Sequence, residues 1–259
     1  MAKFNVNEVV LEKVKQASLY DIESGELLHR LTSIEDPSLN TTAEKEEVVN
    51  AQGETITDIY RAKKATFGGS NSLFSFDLAA SQFGAEKEVA SADNKIINYI
   101  AETLTIANGQ VKLSKTPVEG GIPYIYIMES GDVGESYAVG AAATEDEAVV
   151  AADGTITVPT SITEGRVYVE YPYESEEAVR VVNRAGEYPT AGKLVILALF
   201  RDKCTDKVIL GSIICPKAKL NPESVDLSLT PTGKHPFEYT MMKDFCSNED
   251  ELFRIVLSK

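Results

Sequence analysis

Tryptophan is absent from the 259 residues, histidine occurs twice and cysteine three times. A serine or cysteine nucleophile needs a neighbouring base, most often histidine. His29 lies in a strand pattern beside Arg30, and His235 in a Gly233-Lys234-His235-Pro236 turn. Either could approach Cys204 or Cys246 in a fold, but no companion motif accompanies them, so an exposed or structural role is expected for both. Cys204, Cys215 and Cys246 are odd in number and form no Cys-x-x-Cys pair. They read as reduced thiols serving as small hydrophobes rather than as a disulfide framework, which points to a cytoplasmic compartment during synthesis. Zinc spacing of His and Cys is missing, and so are the glycine-rich phosphate loops.

Long apolar runs are also missing. The longest, Leu194-Val195-Ile196-Leu197-Ala198-Leu199-Phe200, is far short of the roughly 20 residues that cross a bilayer. Met1 to Glu8 lacks the apolar core of a secretory signal. Basic residues are scarce, 25 against 40 acidic, for a net charge of −15. Tight grip on a nucleic-acid backbone or an anionic membrane surface needs Lys and Arg, so neither is expected as a held partner. A 43% apolar fraction excludes disorder as the main state, and the length suits one large domain or two small ones.

What is present is mostly short strands. Ser18–Ile22 and Leu27–Ile34 flank Glu23-Ser24-Gly25-Glu26, a hairpin. Ile96–Ile106 and Gln110–Leu113 flank Asn108-Gly109, and Val149-Val150 and Thr155–Val158 flank Asp153-Gly154; both dipeptides suit tight turns. Val167, Val169, Tyr171 and Tyr173 alternate with Tyr168 and Glu170 as a half-buried strand, and Val225, Leu227 and Leu229 alternate with Asp226, Ser228 and Thr230. Leu194–Phe200 has no polar face, which predicts a central strand covered on both sides. Val208–Ile214, Phe237–Met242 and Leu252–Leu257 complete a carboxyl-terminal sheet. One helix is predicted over 72–83, with Leu73, Phe76, Ala80 and Phe83 on its apolar face, Asn71 as N-cap and Gly84 as C-cap.

Glu35 to Gln52 is polar and charged and reads as a long loop, which in a compact domain is functional or disordered. A strand carrying Arg61, Lys63 and Lys64 follows. Residues 116–187 hold 14 acidic and 3 basic residues, so most of the net charge forms one acidic field. Within it, Glu145-Asp146-Glu147 and Asp153 could offer oxygens to Ca²⁺, but EF-hand spacing is absent and a solvated loop is the plainer reading. Paired carboxylates for glycoside hydrolysis would bring aromatic platforms, and Tyr168, Tyr171 and Tyr173 read better as sheet packing. No catalytic, cofactor-binding or metal-binding residue is assigned, and an enzyme is not expected.

The order of these features resembles the major tail tube proteins of long-tailed bacteriophages. The likeness is carried by Thr42-Ala43-Glu44-Lys45-Glu46-Glu47-Val48-Val49 with Gly53, by Arg61-Ala62-Lys63-Lys64-Ala65-Thr66, and by the helix ending at Gly84. Lys193–Phe200 and Gly211-Ser212-Ile213-Ile214-Cys215-Pro216-Lys217-Ala218-Lys219-Leu220 add to it. It spans nearly the whole chain, with 116–175 matching least, as a possible β insertion on a single tail-tube-like domain of residues 1–259. The resemblance implies a mainly β subunit of the sandwich or barrel type with one helix. It implies six copies to a ring, and rings stacked into a hollow tube that conducts DNA as a passing cargo. Residues 35–60 would then be the loop that reaches an adjacent ring. Glu44, Glu46, Glu47, Arg61, Lys63 and Lys64 become the candidates for contacts between subunits, with the termini as arms on neighbours. Implied partners are further copies and other tail proteins (terminator, baseplate or tip, and sheath in a contractile tail), in a virion assembled in the host cytoplasm, with no cofactor and no membrane. A capsid decoration or baseplate-associated β-sandwich, a surface binding module and a carboxylate enzyme are the alternatives.

Overall fold

The computed structural model describes residues 8–222, 225, 227, 230, 232–246 and 250–258. The chain forms two compact units, one of residues 1–87 and 181–259, the other of Glu88–Arg180. In chain order the first contributes β1 (Val9–Asp21), β2 (Leu27–Leu31), β3 (Ile34–Val49), β4 (Thr55–Asn71) and α1 (Phe76–Phe83). The second contains β5 (Glu88–Val89), β6 (Ile96–Thr105), β7 (Gln110–Lys112), β8 (Tyr124–Glu129), β9 (Asp132–Val139), β10 (Glu147–Val150), β11 (Thr155–Thr157), β12 (Arg166–Ser175) and β13 (Val179–Arg180). The chain then returns to the first unit with β14 (Ala191–Asp202), β15 (Val208–Leu220), β16 (His235–Met241) and β17 (Arg254–Ser258). The protein is mainly β, with one α-helix among the described residues. The second unit is wider than the 116–175 segment that stood out in sequence, because β5 and β6 already belong to it.

The sheet of the first unit runs β2-β1-β14-β15-β16-β4-β3, with β17 paired to β15. The opening hairpin forms as the sequence predicts, Leu19 opposite His29 and Ala17 opposite Leu31. β14 is central, between β1 and β15. Only one of its faces is sealed, however. Leu194, Ile196, Ala198 and Phe200 enter the core, whereas Val195, Leu197 and Leu199 are half-exposed on the other face. The uniform apolar run therefore marks one core face and one surface that this chain leaves only partly covered. The alternating strand read over 225–230 falls largely outside the described residues, and Val225 and Leu227 are not in a strand.

The helix is shorter than 72–83. Ser75, not Asn71, is its N-cap, its hydroxyl accepting from the Leu78 amide, and Gly84 ends it in the left-handed region at φ 68°. The buried face is Leu78, Ala79, Ala80 and Gln82, while Leu73 and Phe76 are exposed. The helix starts four residues later than predicted and buries a different face, so a polar residue, Gln82, lies inside. Its burial is satisfied by its amide donating to the Pro236 carbonyl at 2.8 Å and by His235 Nε2 at 2.7 Å from its Oε1.

In the second unit the order is β6-β12-β8-β9-β10-β11-β7 around a core of Ile125, Ala148, Ile156, Val167, Val169 and Tyr171. The Asn108-Gly109 turn forms with φ 53° and 73°, and Ala107 and Gln110 exchange both backbone hydrogen bonds across it. The strands it joins then part. β6 pairs along its length with β12, and β7 pairs with β11, so the turn links the two ends of the sheet order and bends the sheet toward closure. The Asp153-Gly154 turn joins β10 to β11 through a longer loop, with Ala151 and Thr155 bonded across its base.

Candidate assembly surfaces

The segment read as a polar loop is a β-hairpin arm. β3 and β4 pair from Ile34 opposite Asn71 to Val49 opposite Thr55. Ala65–Asn71 of β4 also pairs with β16, but among the described residues Thr55–Lys64 pairs only with β3. At a rise of ~3.3 Å per residue this free part reaches roughly 30 Å. Its tip is ordered by Asn50, whose side-chain oxygen accepts from the Gln52 and Glu54 amides at 2.9 Å, while Gly53 turns the chain at φ 84°. The strand expected to carry Arg61, Lys63 and Lys64 forms as β4, but hydrophobic periodicity could not reveal β3, because both of its faces are solvated and no apolar alternation is needed. Pro37 gave the only counter-signal, and it sits at a bulge between Glu35 and Ser38, where a missing N–H costs nothing to the ladder. A second bulge lies at Ala62, which takes φ 50° and bends the arm.

Four of the six contact candidates engage one another within this arm, and a fifth, Glu47, is held by Lys45 of the same strand. Glu44 stands opposite Arg61 in register, Arg61 is ion-paired with Glu46, and Lys64 lies 4.0 Å from Glu44. Lys45 bridges Glu47 at 2.6 Å and Asp58 at 3.2 Å, and these partners raise its pKa, Glu47 most. The sixth, Lys63, is exposed beside the Ala62 bulge. The acid–base complementarity legible in sequence is thus met across the two strands of one arm. The sequence reading passed over the apolar residues that stand among these charges. Val49, Ile56, Ile59 and Tyr60 are exposed, the last by 66%. A second apolar surface is the open face of the sheet, where Leu210 and Val256 join Val195, Leu197 and Leu199.

Both histidines, which could have served as bases, are occupied by structural hydrogen bonds. His29 bonds Ser81 through Nδ1 and Tyr239 through Nε2, and His235 Nδ1 accepts from the Ser75 amide. Burial lowers both histidines to about 4, so they are neutral members of the polar layer that seats α1. Cys204 and Cys246 are exposed, and Cys215 is buried with its thiol pushed up to about 11. Asp153 is held by Lys112 at 2.7 Å, which together with Thr155 lowers it to about 2. Among the described residues no group of three or more His, Cys, Asp or Glu side chains is placed to hold a metal ion.

A family profile, the YomU/Tube protein family, matches residues 9–255. The chain belongs to the YomU/Tube protein family. This is a phage-derived tube family, and membership makes the chain a structural protein of a phage tail tube. No curated protein matches it. The matched span includes both compact units and the whole arm. Among the described residues no helix is long and apolar enough to cross a membrane.

Proposed function

We propose that this tube protein assembles from its own copies, six to a ring, into stacked rings whose channel conducts phage DNA. The arm carries this reading. A lone two-stranded ribbon is marginal in water, and this one exposes Ile56, Ile59 and Tyr60 as well as its charges. A neighbouring copy that covers the arm would bury those side chains and hold the ribbon in place. The half-covered sheet face supports the same reading, since it offers Leu197, Leu199 and Leu210 to a partner. A net charge of −15 suits a conduit, because a wall poor in Lys and Arg releases few counterions and does not retain the phosphate backbone. The remaining partners would be the tail proteins at the ends of the tube and, in a contractile tail, a sheath.

Negative-stain electron microscopy across a protein concentration series tests the assembly. Hollow tubes or stacked rings are expected. Ile59→Ser with Tyr60→Ser should leave the subunit folded and abolish tubes. Discrete single particles at every concentration, with and without an added tail initiator, would favour a decoration or baseplate-associated protein instead.

A further inference from the structure

The outer face of the second unit's sheet carries a band of tyrosines that its fold does not use. Residues directly opposed in a ladder share a face. Tyr99 is opposite Pro172 and Ile97 opposite Glu174 on β6 and β12, and Tyr168 is opposite Tyr126 on β12 and β8. Tyr124, two residues from Tyr126, stands on the same side. The core lies on the other face, with Val167, Val169, Tyr171 and Ile125 fully buried. Tyr99, Ile97 and Tyr124 are 65%, 52% and 51% exposed. The Tyr126 and Tyr168 rings lie 6.3 Å apart, tilted, so they form a step rather than isolated side chains. The three tyrosines of the half-buried strand thus have separate roles: Tyr171 fills the core, Tyr173 packs at its margin, and Tyr168 belongs to this outer band.

The charge of the unit says what this band can hold. Residues 88–180 contain 16 acidic and 5 basic side chains. On the tyrosine face itself Glu170 accepts a hydrogen bond from the Tyr168 hydroxyl, and among the described residues no Lys or Arg pairs with it. Glu174 is 3.8 Å from Lys95, which is shared with Glu176 at 3.2 Å. Arg166, opposite Thr105, stands at the far end of this face, and Lys95 at the near end is already engaged by two carboxylates. Aromatic faces attract cations through their quadrupoles, and carboxylates attract them by charge. A neutral sugar would gain from the rings alone, and an anionic polymer would be repelled.

We propose that this tyrosine face is a docking surface for a Lys- or Arg-bearing segment of a protein partner, its cations seated over the rings with Glu170 as counter-charge. Nothing in this assignment depends on ring assembly, because the face lies within the second unit. It predicts a partner that brings positive charge to the tube protein.

Fluorescence anisotropy with the full-length protein and a labelled peptide of lysines alternating with serines tests it. Binding should weaken with added salt. Tyr99→Ala and Tyr168→Ala, which leave the net charge unchanged, should each weaken it about five- to tenfold, and Tyr99→Phe should retain it. Far-UV circular dichroism of each variant confirms that the sheet is intact. Equal binding by wild type and both alanine variants would overturn the proposal, since attraction to net charge alone would then suffice. Binding of a neutral cello-oligosaccharide in place of the peptide would overturn it as well.

Discussion

His29 Nε2 and the Tyr239 hydroxyl are 2.5 Å apart inside the first unit, and Tyr239 is completely buried. The same imidazole reaches Ser81 of α1 at 2.7 Å through Nδ1. Since Tyr239 belongs to β16 and His29 to β2, one ring joins two strands to the helix. His235 reaches both ends of α1, accepting from the amide of the N-cap residue Ser75 and bonding Gln82 in the last turn.

The first prediction concerns acid. Both histidines are lowered to about 4 in the fold, for His29 by burial first, with Asp77 opposing and His235 adding to the shift. The unfolded chain takes up these protons near pH 6.5, and the folded one only near 4. The unfolded state thus binds more protons in that window, and stability falls as pH drops from about 6.5 to about 4. For His29 alone the loss approaches about 3 kcal/mol at the low end. Thermal melts at steps from pH 8 to pH 4 should show this decline, and His29→Gln should flatten it. A variant that keeps the wild-type slope would refute the assignment.

A second prediction addresses the ends of α1. Gly84 has φ 68°, and a Cβ there would meet the Tyr188 carbonyl. Gly84→Ala should cost about 2–3 kcal/mol, combining left-handed strain with the clash. Ser75→Ala should cost about 1 kcal/mol through the lost cap. Urea unfolding of both variants gives the order directly.

Gly211 makes a third site of intolerance. It lies opposite Ala198 in the ladder, and the Phe200 ring and Leu257 close over the space a side chain would take. Gly211→Ala should therefore displace either Phe200 or β17. Hydrogen exchange at Ile255 and Leu257 should rise well above the wild-type rate, and unchanged protection there would show that Phe200 moves instead.

The arm's ion pairs give a fourth. Arg61 and Glu46 are more than half exposed, and such pairs are worth about 0.2–1 kcal/mol. Arg61→Gln should leave the melting temperature nearly unchanged. Lys63→Glu with Lys64→Glu should also leave the subunit folded but reduce tube formation in electron micrographs. Normal tubes would remove these two lysines from any contact between copies.

Much of the β architecture was legible because burial imposes a period. The hairpin at Gly25 and the strand at Val167–Tyr173 show their core face in sequence, whereas the run Leu194–Phe200 shows that its strand is central but not which face is sealed. Of the arm, β4 was legible as a strand but β3 was not, since its faces meet water and no apolar alternation marks it. The Asn108-Gly109 turn was legible, but its hairpin was not, because a tight turn fixes the local bend and not the long-range partner of each strand. The helix start was missed by four residues. Ser75 and Asn71 are equally good caps by type, and only the burial of Gln82 against His235 separates them. The tyrosine band was visible as composition, yet which ring faces inward depends on register with β6 and β8.

At the neck of the second unit, β5 and β13 run antiparallel, Val89 opposite Val179, and Arg180 closes on Glu88 at 2.5 Å. The chain thus leaves and re-enters the first unit at adjacent points. Everything from Ala90 to Ala178 is a cassette on a zipped stem. The strands of the first unit pair among themselves without it, so a change in its length leaves their order intact.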